Sequence, residues 1–262
     1  MSLDIREMSV PIGDCHIVHD ASLTVPKGKL VGLIGANGVG KTTLLRSAAG
    51  LLTAATGEVL IDDTPAASLT PRERARKLAY LPQGAQIDWA LTVRDVVALG
   101  RFPFQGRFGH RTDRDETIID EVMTRLGLSS LALRDATTLS GGERAMVLLA
   151  RALAVGAPYL LADEPTAALD PARQLSVMEF LKEEAARGTG VLMVLHDLSL
   201  AARFLDHVVV MSGGNIIANG PPGEVLTSQT LEAAYGITPI SGEIDGERWL
   251  LPWRRAGKAP PA

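Results

Sequence analysis

Cysteine is nearly missing from this sequence. Cys15 is the only one, so no disulfide can form within the chain, which agrees with a reducing compartment. Long apolar runs are missing too. A bilayer span needs about 18 or more consecutive apolar residues, and clusters such as "YLLA" and "GVLMVL" are far shorter. The opening "MSLDIREMSVPIGD" has no apolar core of signal-peptide length. A soluble chain is therefore expected, with any link to a membrane made through a partner. A charge excess is absent as well: 26 Lys and Arg stand against 30 Asp and Glu, a net −4. That balance gives no broad basic surface and argues against nucleic acid as a partner. No internal repeat is evident.

What is present is enough apolar material for one large core or two joined ones, 46% of 262 residues. Short apolar strands alternate with helix-like segments. "IVHDASLTVP", "GKLVGLIG", "GEVLIDD", "LAYLPQ", "YLLAD", "GVLMVL" and "HVVVMSGG" read as strands, while "TTLLRSAAGLL", "PARQLSVMEFLKEEAARG" and "LSLAARFL" read as helices. Such alternation predicts an α/β sheet covered on both faces. The texture changes between about residues 87 and 149. Helical spacing dominates in "LTVRDVVALG" and "DETIIDEVMTRLGL", joined by the loop "RFPFQGRFGHRTDR", and this block reads as a helical insert. Four segments follow: residues 1–86 and 151–240 as two parts of one core, 87–150 as the insert, and 241–262 as a tail expected to be partly disordered.

Chemistry is most legible in "GLIGANGVGKTT". Gly35, Ala36, Asn37, Gly38, Val39, Gly40, Lys41 and Thr42 match the phosphate-loop pattern completely, between a predicted strand and a predicted helix. Glycines let backbone amides curl around phosphate oxygens, and the helix start favours an anion. Lys41 is placed to reach β- and γ-phosphates, and Thr42 to offer its hydroxyl to Mg²⁺. Thr43 is expected in the helix, packing behind the loop. A strand-end acidic pair, Asp163 and Glu164, supplies an oxygen ligand for the metal and a base for water. A turn cap would explain that pair alone equally well. Gln83 and His196 also follow strands. Gln83 either caps the strand or contacts the metal shell; His196 either meets a γ-phosphate or supports the next helix start beside Asp197 and Ser199.

In "TTLSGGERAMVLLARAL" a serine and two glycines open an apolar-periodic helix, and Ser140 with Glu143 forms a capping box by pattern. With this stretch the chain closely resembles the nucleotide-binding subunits of ABC transporters. The resemblance runs from about residue 4 to 236. It implies a P-loop (RecA-like) ATPase core of the α/β class with a helical subdomain and a small antiparallel β region, the ABC ATPase fold. It implies that "LSGG", residues 139–142, is the family signature. Ser140, Gly141 and Gly142 would meet the γ-phosphate of ATP bound on the other subunit of a head-to-tail homodimer. Gln83 matches the Q-loop glutamine, Asp163 the Mg²⁺-site aspartate, Glu164 the catalytic glutamate, Ala168-Leu169-Asp170 the D-loop, and His196 the switch histidine. The resemblance thus implies catalytic roles for Glu164, His196, Gln83 and Lys41, Mg²⁺ at Thr42, Gln83 and Asp163, and ATP along residues 35–43.

Further likeness is to ATPases of iron-siderophore, haem and vitamin B12 importers, carried by "LTVRDVVALGRFPF" and "PPGEVLTSQTLEAAYGI". It implies two membrane permease subunits, a separate substrate-binding protein, and a peripheral place on the cytoplasmic face of the inner (plasma) membrane. Arg94, Asp95, Arg101, Phe102 and Phe104 lie near the permease-facing groove by analogy, although the phenylalanines serve equally as packing anchors. Departures are visible. Glu143 stands for a commoner glutamine, and Met146 for a basic residue, which predicts that Met146 packs. Relatives carry an adenine-stacking aromatic near Ile12; here Ile12 gives only apolar contact, and His16 is the alternative ring. A soluble repair or translation ATPase is disfavoured by the lack of a second module, a non-hydrolysing subunit by Glu164 and His196, and an exporter by the middle block. Trp249 and Trp253 in the tail are expected to pack, on the domain or on a partner.

Overall fold

The computed structural model describes residues 1–84, 86–106, 110–167 and 169–257. Twelve strands and nine α-helices lie among these residues. The strands are β1 (Ser2–Ile12), β2 (Cys15–Pro26), β3 (Leu30–Gly35), β4 (Thr56–Ile61), β5 (Thr64–Pro65), β6 (Leu78–Leu81), β7 (Tyr159–Asp163), β8 (Gly190–Val194), β9 (His207–Ser212), β10 (Asn215–Gly220), β11 (Ile237–Ile244) and β12 (Glu247–Arg255). The helices are α1 (Lys41–Ala48), α2 (Pro71–Lys77), α3 (Val93–Ala98), α4 (Asp113–Arg125), α5 (Gly141–Leu153), α6 (Pro171–Ala186), α7 (Leu198–Phe204), α8 (Pro222–Val225) and α9 (Ser228–Tyr235).

The central sheet runs β10-β9-β3-β8-β7-β6. Its inner strands are parallel, and β10 returns antiparallel to β9. Every residue of β3, β7 and β8 is buried, as expected of parallel strands covered on both faces. Side chains alternate between two cores. Leu30, Ile34, Leu160 and Met193 join a core shared with α3 to α7, whereas Val31, Leu33, Leu161 and Leu192 join one shared with β1, β2 and α1. That second layer is an antiparallel sheet ordered β2-β1-β4-β5. Chain order reverses around β3: β8 pairs on one side and β9 on the other. A ligand crevice is expected outside the carboxyl end of a strand at such a switch point.

Local signals explain where helices begin. Thr70, Thr112 and Ser140 each complete a capping box, with Glu73, Asp115 and Glu143 as reciprocal partners. Asp170 accepts the Arg173 N–H at 3.0 Å ahead of Pro171, the first residue of α6. The insert contains α3, α4 and the start of α5, and no strand lies between β6 and β7 among the described residues. The first part of its expected loop is instead a 3₁₀ helix, Leu99–Phe104. Arg101, placed by analogy near an exposed groove, is buried at 4% exposure. It pairs with Asp115 at 2.8 Å, donates to the Ala154 and Val155 carbonyls at 2.8 Å each, and lies 4.0 Å over the Phe104 ring.

Most of the tail takes a defined form. Residues 241–255 fall in the hairpin β11–β12, which begins at Ile237, and residues 258–262, the rest of the expected partly disordered tail, lie outside the described residues. The hairpin turn carries Asp245 and Gly246, both at positive φ (52° and 81°). An Asp-Gly pair with this geometry matches the right-handed twist of its strands. Leu250 is 4% exposed and belongs to the core with α7 residues, while Trp253 is 59% exposed. Trp249 lies against the bare face of Gly242, so one of the two tryptophans packs. Met146 packs against the core, as its position predicts.

Candidate functional site

The site begins where β3 ends. Gly40 caps α1 in the left-handed region (φ 100°), and a Cβ built there would stand 2.9 Å from the Ile17 carbonyl oxygen. Both facts demand glycine. Lys41 follows, and its ammonium turns back to donate to the Gly35 and Ala36 carbonyls at 2.8 Å each. The lysine is buried, and that burial lowers its pKa against the opposing pull of Glu164 and Asp163. Two residues of the loop's own backbone thus hold the cation over the start of α1.

Asp163 is the last residue of β7 and is 1% exposed. Its Oδ1 accepts the Thr42 hydroxyl at 3.1 Å. Its Oδ2 is buried without a hydrogen-bond partner among the described residues. Burial raises its pKa, the Thr42 hydroxyl works against this, and the neighbouring Glu164 charge adds to the rise. A buried carboxylate oxygen with no donor and a hydroxyl on its twin fits a hard divalent cation such as Mg²⁺.

Glu164 leaves the strand at φ 50°. Non-glycine residues hold that conformation at a cost of about 1–3 kcal/mol, and they cluster at functional sites. The turn aims the carboxylate between two partners: Oε2 accepts the Gln83 amide N–H at 2.6 Å, and Oε1 meets His196 Nε2 at 2.6 Å. Gln83 lies just past β6 and His196 just past β8, so three adjacent strands converge on one carboxylate. The two readings of His196 separate here. The cap of α7 is Asp197, which accepts the Leu200 N–H at 2.9 Å, and the His196 ring belongs to the cleft.

Of the residues predicted from sequence, Asn37, Gly38, Gly40, Lys41, Thr42, Thr43, Gln83, Glu164 and His196 line one cleft of ≈ 590 Å³. Thr43 therefore lines the cleft instead of only packing behind the loop. Gly35 and Ala36 shape the cleft through their carbonyls, Val39 packs inward on the second core, and Asp163 stands behind Thr42. Ile17 also lines the cleft, and sequence reading did not single it out. Its only local signal is a place in β2 opposite Gly40. Ile12 is 53% exposed at the β1–β2 turn, and the His16 ring stacks on His19 at 6.2 Å between centroids. Neither lines the cleft.

Ser140, Gly141 and Gly142 do not line the cleft either. They open α5, where the Ser140 Oγ accepts the Glu143 N–H at 3.3 Å and the Glu143 carboxylate accepts the Ser140 N–H at 2.8 Å. Gly141 borders a smaller hollow of ≈ 180 Å³ that Asp163 and Glu164 also line, together with Arg144, Pro165 and Ala167. The bare face of Gly142 adjoins the Arg173 guanidinium. Helix-start amides with little side-chain bulk remain on this surface, apart from the phosphate loop of the same chain. Ala168 of the expected D-loop lies outside the described residues.

A phosphate loop after a central parallel strand, with a hydroxyl and a buried aspartate beside it, defines a P-loop nucleotide-binding protein. The comparison with known proteins narrows the class. The ABC transporter family matches residues 18–167, and the chain belongs to that family. A cobalamin import ATP-binding protein of Halobacterium salinarum is 41% identical over 251 residues, covering 93% of this chain; the chain spans 63% of that relative's length. A hemin import ATP-binding protein of Rhodococcus jostii is 40% identical over 249 residues, covering 94% of this chain and 85% of its own. A solved metal-chelate type ABC transporter in an inward-facing conformation shares the fold, with a TM-score of 0.83 at 24% identity over 96% of this chain and 97% of that one.

Proposed function

We propose that this chain is the ATPase of a metal-chelate importer, of the iron-siderophore, haem or cobalamin class. It works as a head-to-tail homodimer beneath two membrane permease subunits served by a substrate-binding protein. The place of work is the cytoplasmic face of the inner membrane, where the chain is peripheral. No helix among the described residues is long and apolar enough to cross a membrane. Two of its relatives, a cobalamin import and a hemin import ATP-binding protein, support the cargo class.

The observation that carries the reading is the placement of Glu164. Its carboxylate is turned by a left-handed backbone into the cleft that holds Lys41, between Gln83 and His196. In this arrangement Glu164 takes a proton from water aimed at the γ-phosphorus. Lys41 and His196 donate to oxygens of the transferring phosphoryl group and stabilise its charge. Thr42 and Asp163 would hold Mg²⁺, with Gln83 beside it; when bound, the ion neutralises charge on the β- and γ-phosphates. Loop amides from Gly38 to Thr42 receive the phosphates. On this reading the base extends toward the β1–β2 turn that carries Ile12 and His16.

Only half of the enclosure belongs to one chain. The Ser140 hydroxyl and the Gly141 and Gly142 amides lie outside the cleft that holds Lys41, so on this reading a second copy supplies the lid, and nucleotide becomes the bond between two copies. Closure is then a population shift driven by contacts made only in the closed pair. The test is ATP turnover and association by the wild type and the Glu164→Gln chain. Loss of turnover with a dimer that persists in ATP is the expected result. Undiminished turnover sinks the catalytic assignment, and a monomer throughout sinks the shared site.

A further inference from the structure

The strand that feeds the phosphate loop ends on Gly35, which pairs with Met211 of β9 and whose N–H meets a side chain. The last rung between β3 and its neighbour β8 joins the Leu195 N–H to the Leu33 carbonyl at 3.2 Å. The N–H of Gly35, two residues on, is taken by a side chain from 200 positions later: the Tyr235 hydroxyl accepts it at 2.7 Å. Gly35 is tightly constrained. Its φ is 151°, and a Cβ built there would stand 2.3 Å from the Met211 carbonyl oxygen. Its own carbonyl accepts the Lys41 ammonium at 2.8 Å. One peptide neighbourhood thus links Tyr235 on one side to the cleft's lysine on the other.

Tyr235 is itself firmly held. It is the last residue of α9, which Gly236 closes in the left-handed region at φ 64°. Leu231 of the same helix is fully buried, and the Ala233 carbonyl accepts the Ser212 hydroxyl at 3.2 Å. Beyond Gly236 the β11–β12 hairpin is tied to α7. The Ser199 hydroxyl donates to the Leu250 carbonyl at 2.5 Å, and Arg203 pairs with Glu247 at 2.5 Å. Burial pushes the tyrosine pKa up to about 12, so the hydroxyl stays neutral at ordinary pH and its oxygen is a steady acceptor.

We propose that Tyr235 is a positioning residue of the nucleotide cleft, fixing the turn from β3 into the phosphate loop by accepting the Gly35 N–H. The inference rests on the ATPase reading. Tyr235 touches no reacting atom. Removing its hydroxyl leaves Lys41, Glu164 and His196 in place but frees the backbone from which Lys41 and the loop amides are hung. Nucleotide binding should therefore change more than the chemical step.

The experiment compares initial rates of ATP hydrolysis by the full chain as wild type, Tyr235→Phe and Leu231→Ala, with melting curves for each. Tyr235→Phe keeps the ring and should raise KM for ATP about fivefold to tenfold, with kcat within about twofold. Leu231→Ala empties core volume on the same helix without touching the hydroxyl. It should lower the melting temperature by several degrees and leave KM unchanged. An unchanged KM in Tyr235→Phe overturns the inference. So does an equal rise in Leu231→Ala, since helix packing alone would then explain the effect. A wild-type chain that neither binds nor hydrolyses ATP would instead overturn the ATPase reading, so the two failures are distinguishable.

Discussion

In the helical insert, Arg101 and Asp115 bury opposite charges 2.8 Å apart, and their remaining polar atoms are well supplied. The guanidinium also reaches two backbone carbonyls, and the carboxylate accepts the Thr112 N–H and hydroxyl. Burial alone would raise the Asp115 pKa; the Thr112 N–H, the Arg101 guanidinium and the Thr112 hydroxyl outweigh it and bring it to about 2. In the cleft the balance is reversed. Asp163 is as deeply buried, has a second carboxylate beside it, and keeps one oxygen without a partner among the described residues. Buried charge with a complete set of partners holds a fold together, whereas buried charge left short marks a place where something from outside completes the set.

The largest effect expected from this contrast falls on the cleft. Glu164→Gln keeps the side-chain shape and a hydrogen-bonding oxygen, but removes the base. Phosphate release should fall by about 10²–10⁴-fold, the span that a positioned acid or base contributes. A loss below tenfold would break the comparison on its functional side, because the strained Glu164 turn would then have no catalytic purpose.

The structural side is broken or sharpened by Arg101→Met. That change strands Asp115 and two carbonyls in the interior. Breaking one partner out of a buried pair costs about 3–5 kcal/mol, to be read from urea unfolding of the apo chain. KM for ATP should stay near the wild-type value, because Arg101 lines no part of the cleft. A cost below about 1 kcal/mol would show that the insert does not depend on this pair.

Acidity separates the two aspartates by sign. Asp115 has a folded pKa of about 2, below the unfolded value of about 4. Its contribution to stability is full above about 4 and is lost as pH falls toward the folded value. Asp163 has its pKa raised by burial, so its contribution is full below the unfolded value and is lost as pH rises through the folded one. Asp163→Asn should therefore stabilise the apo chain at neutral pH by about 1 kcal/mol, the scale of relieved functional strain. It should also remove the extra melting temperature that wild type gains from Mg²⁺ with ATP. A destabilised apo Asp163→Asn chain would place Asp163 among the fully satisfied charges.

The cleft was legible in the sequence because its chemistry fixes residue types at strand ends. A phosphate loop needs its glycines, lysine and hydroxyl at set spacing, and Asp163-Glu164, Gln83 and His196 each follow an apolar strand. What sequence reading missed depends on contacts between distant segments. Nothing local to "AAYGI" says that Tyr235 reaches Gly35, and nothing near Arg101 says that it turns inward to Asp115 and the end of α5. The overlooked hairpins are a different case. Asp245-Gly246 and Gly213-Gly214 both carry paired positive φ values, so the turn chemistry was present, but β10, β11 and β12 mix polar and apolar residues too evenly to stand out.

The smallest effect is expected at Ile12, an uncharged residue outside the lining of the cleft, where neither kind of buried charge operates. Ile12 ends β1 beside the tight turn to Cys15 and is 53% exposed, so its loss should cost little. Ile12→Ala should change ATP affinity by less than about twofold, because a half-exposed aliphatic side chain has little area left to bury. Ile12→Tyr adds a π-face that the isoleucine lacks. Base stacking of about 1 kcal/mol would tighten ATP about fivefold, and GTP to a similar degree, since every base offers a face. Titration with a fluorescent nucleotide reads all three. If Ile12→Tyr has no effect and Ile17→Ala weakens binding, the base rests on β2 instead. The neutral wall of the site then belongs to the residue that already lines the cleft, while the division between satisfied and unsatisfied charge stands unchanged.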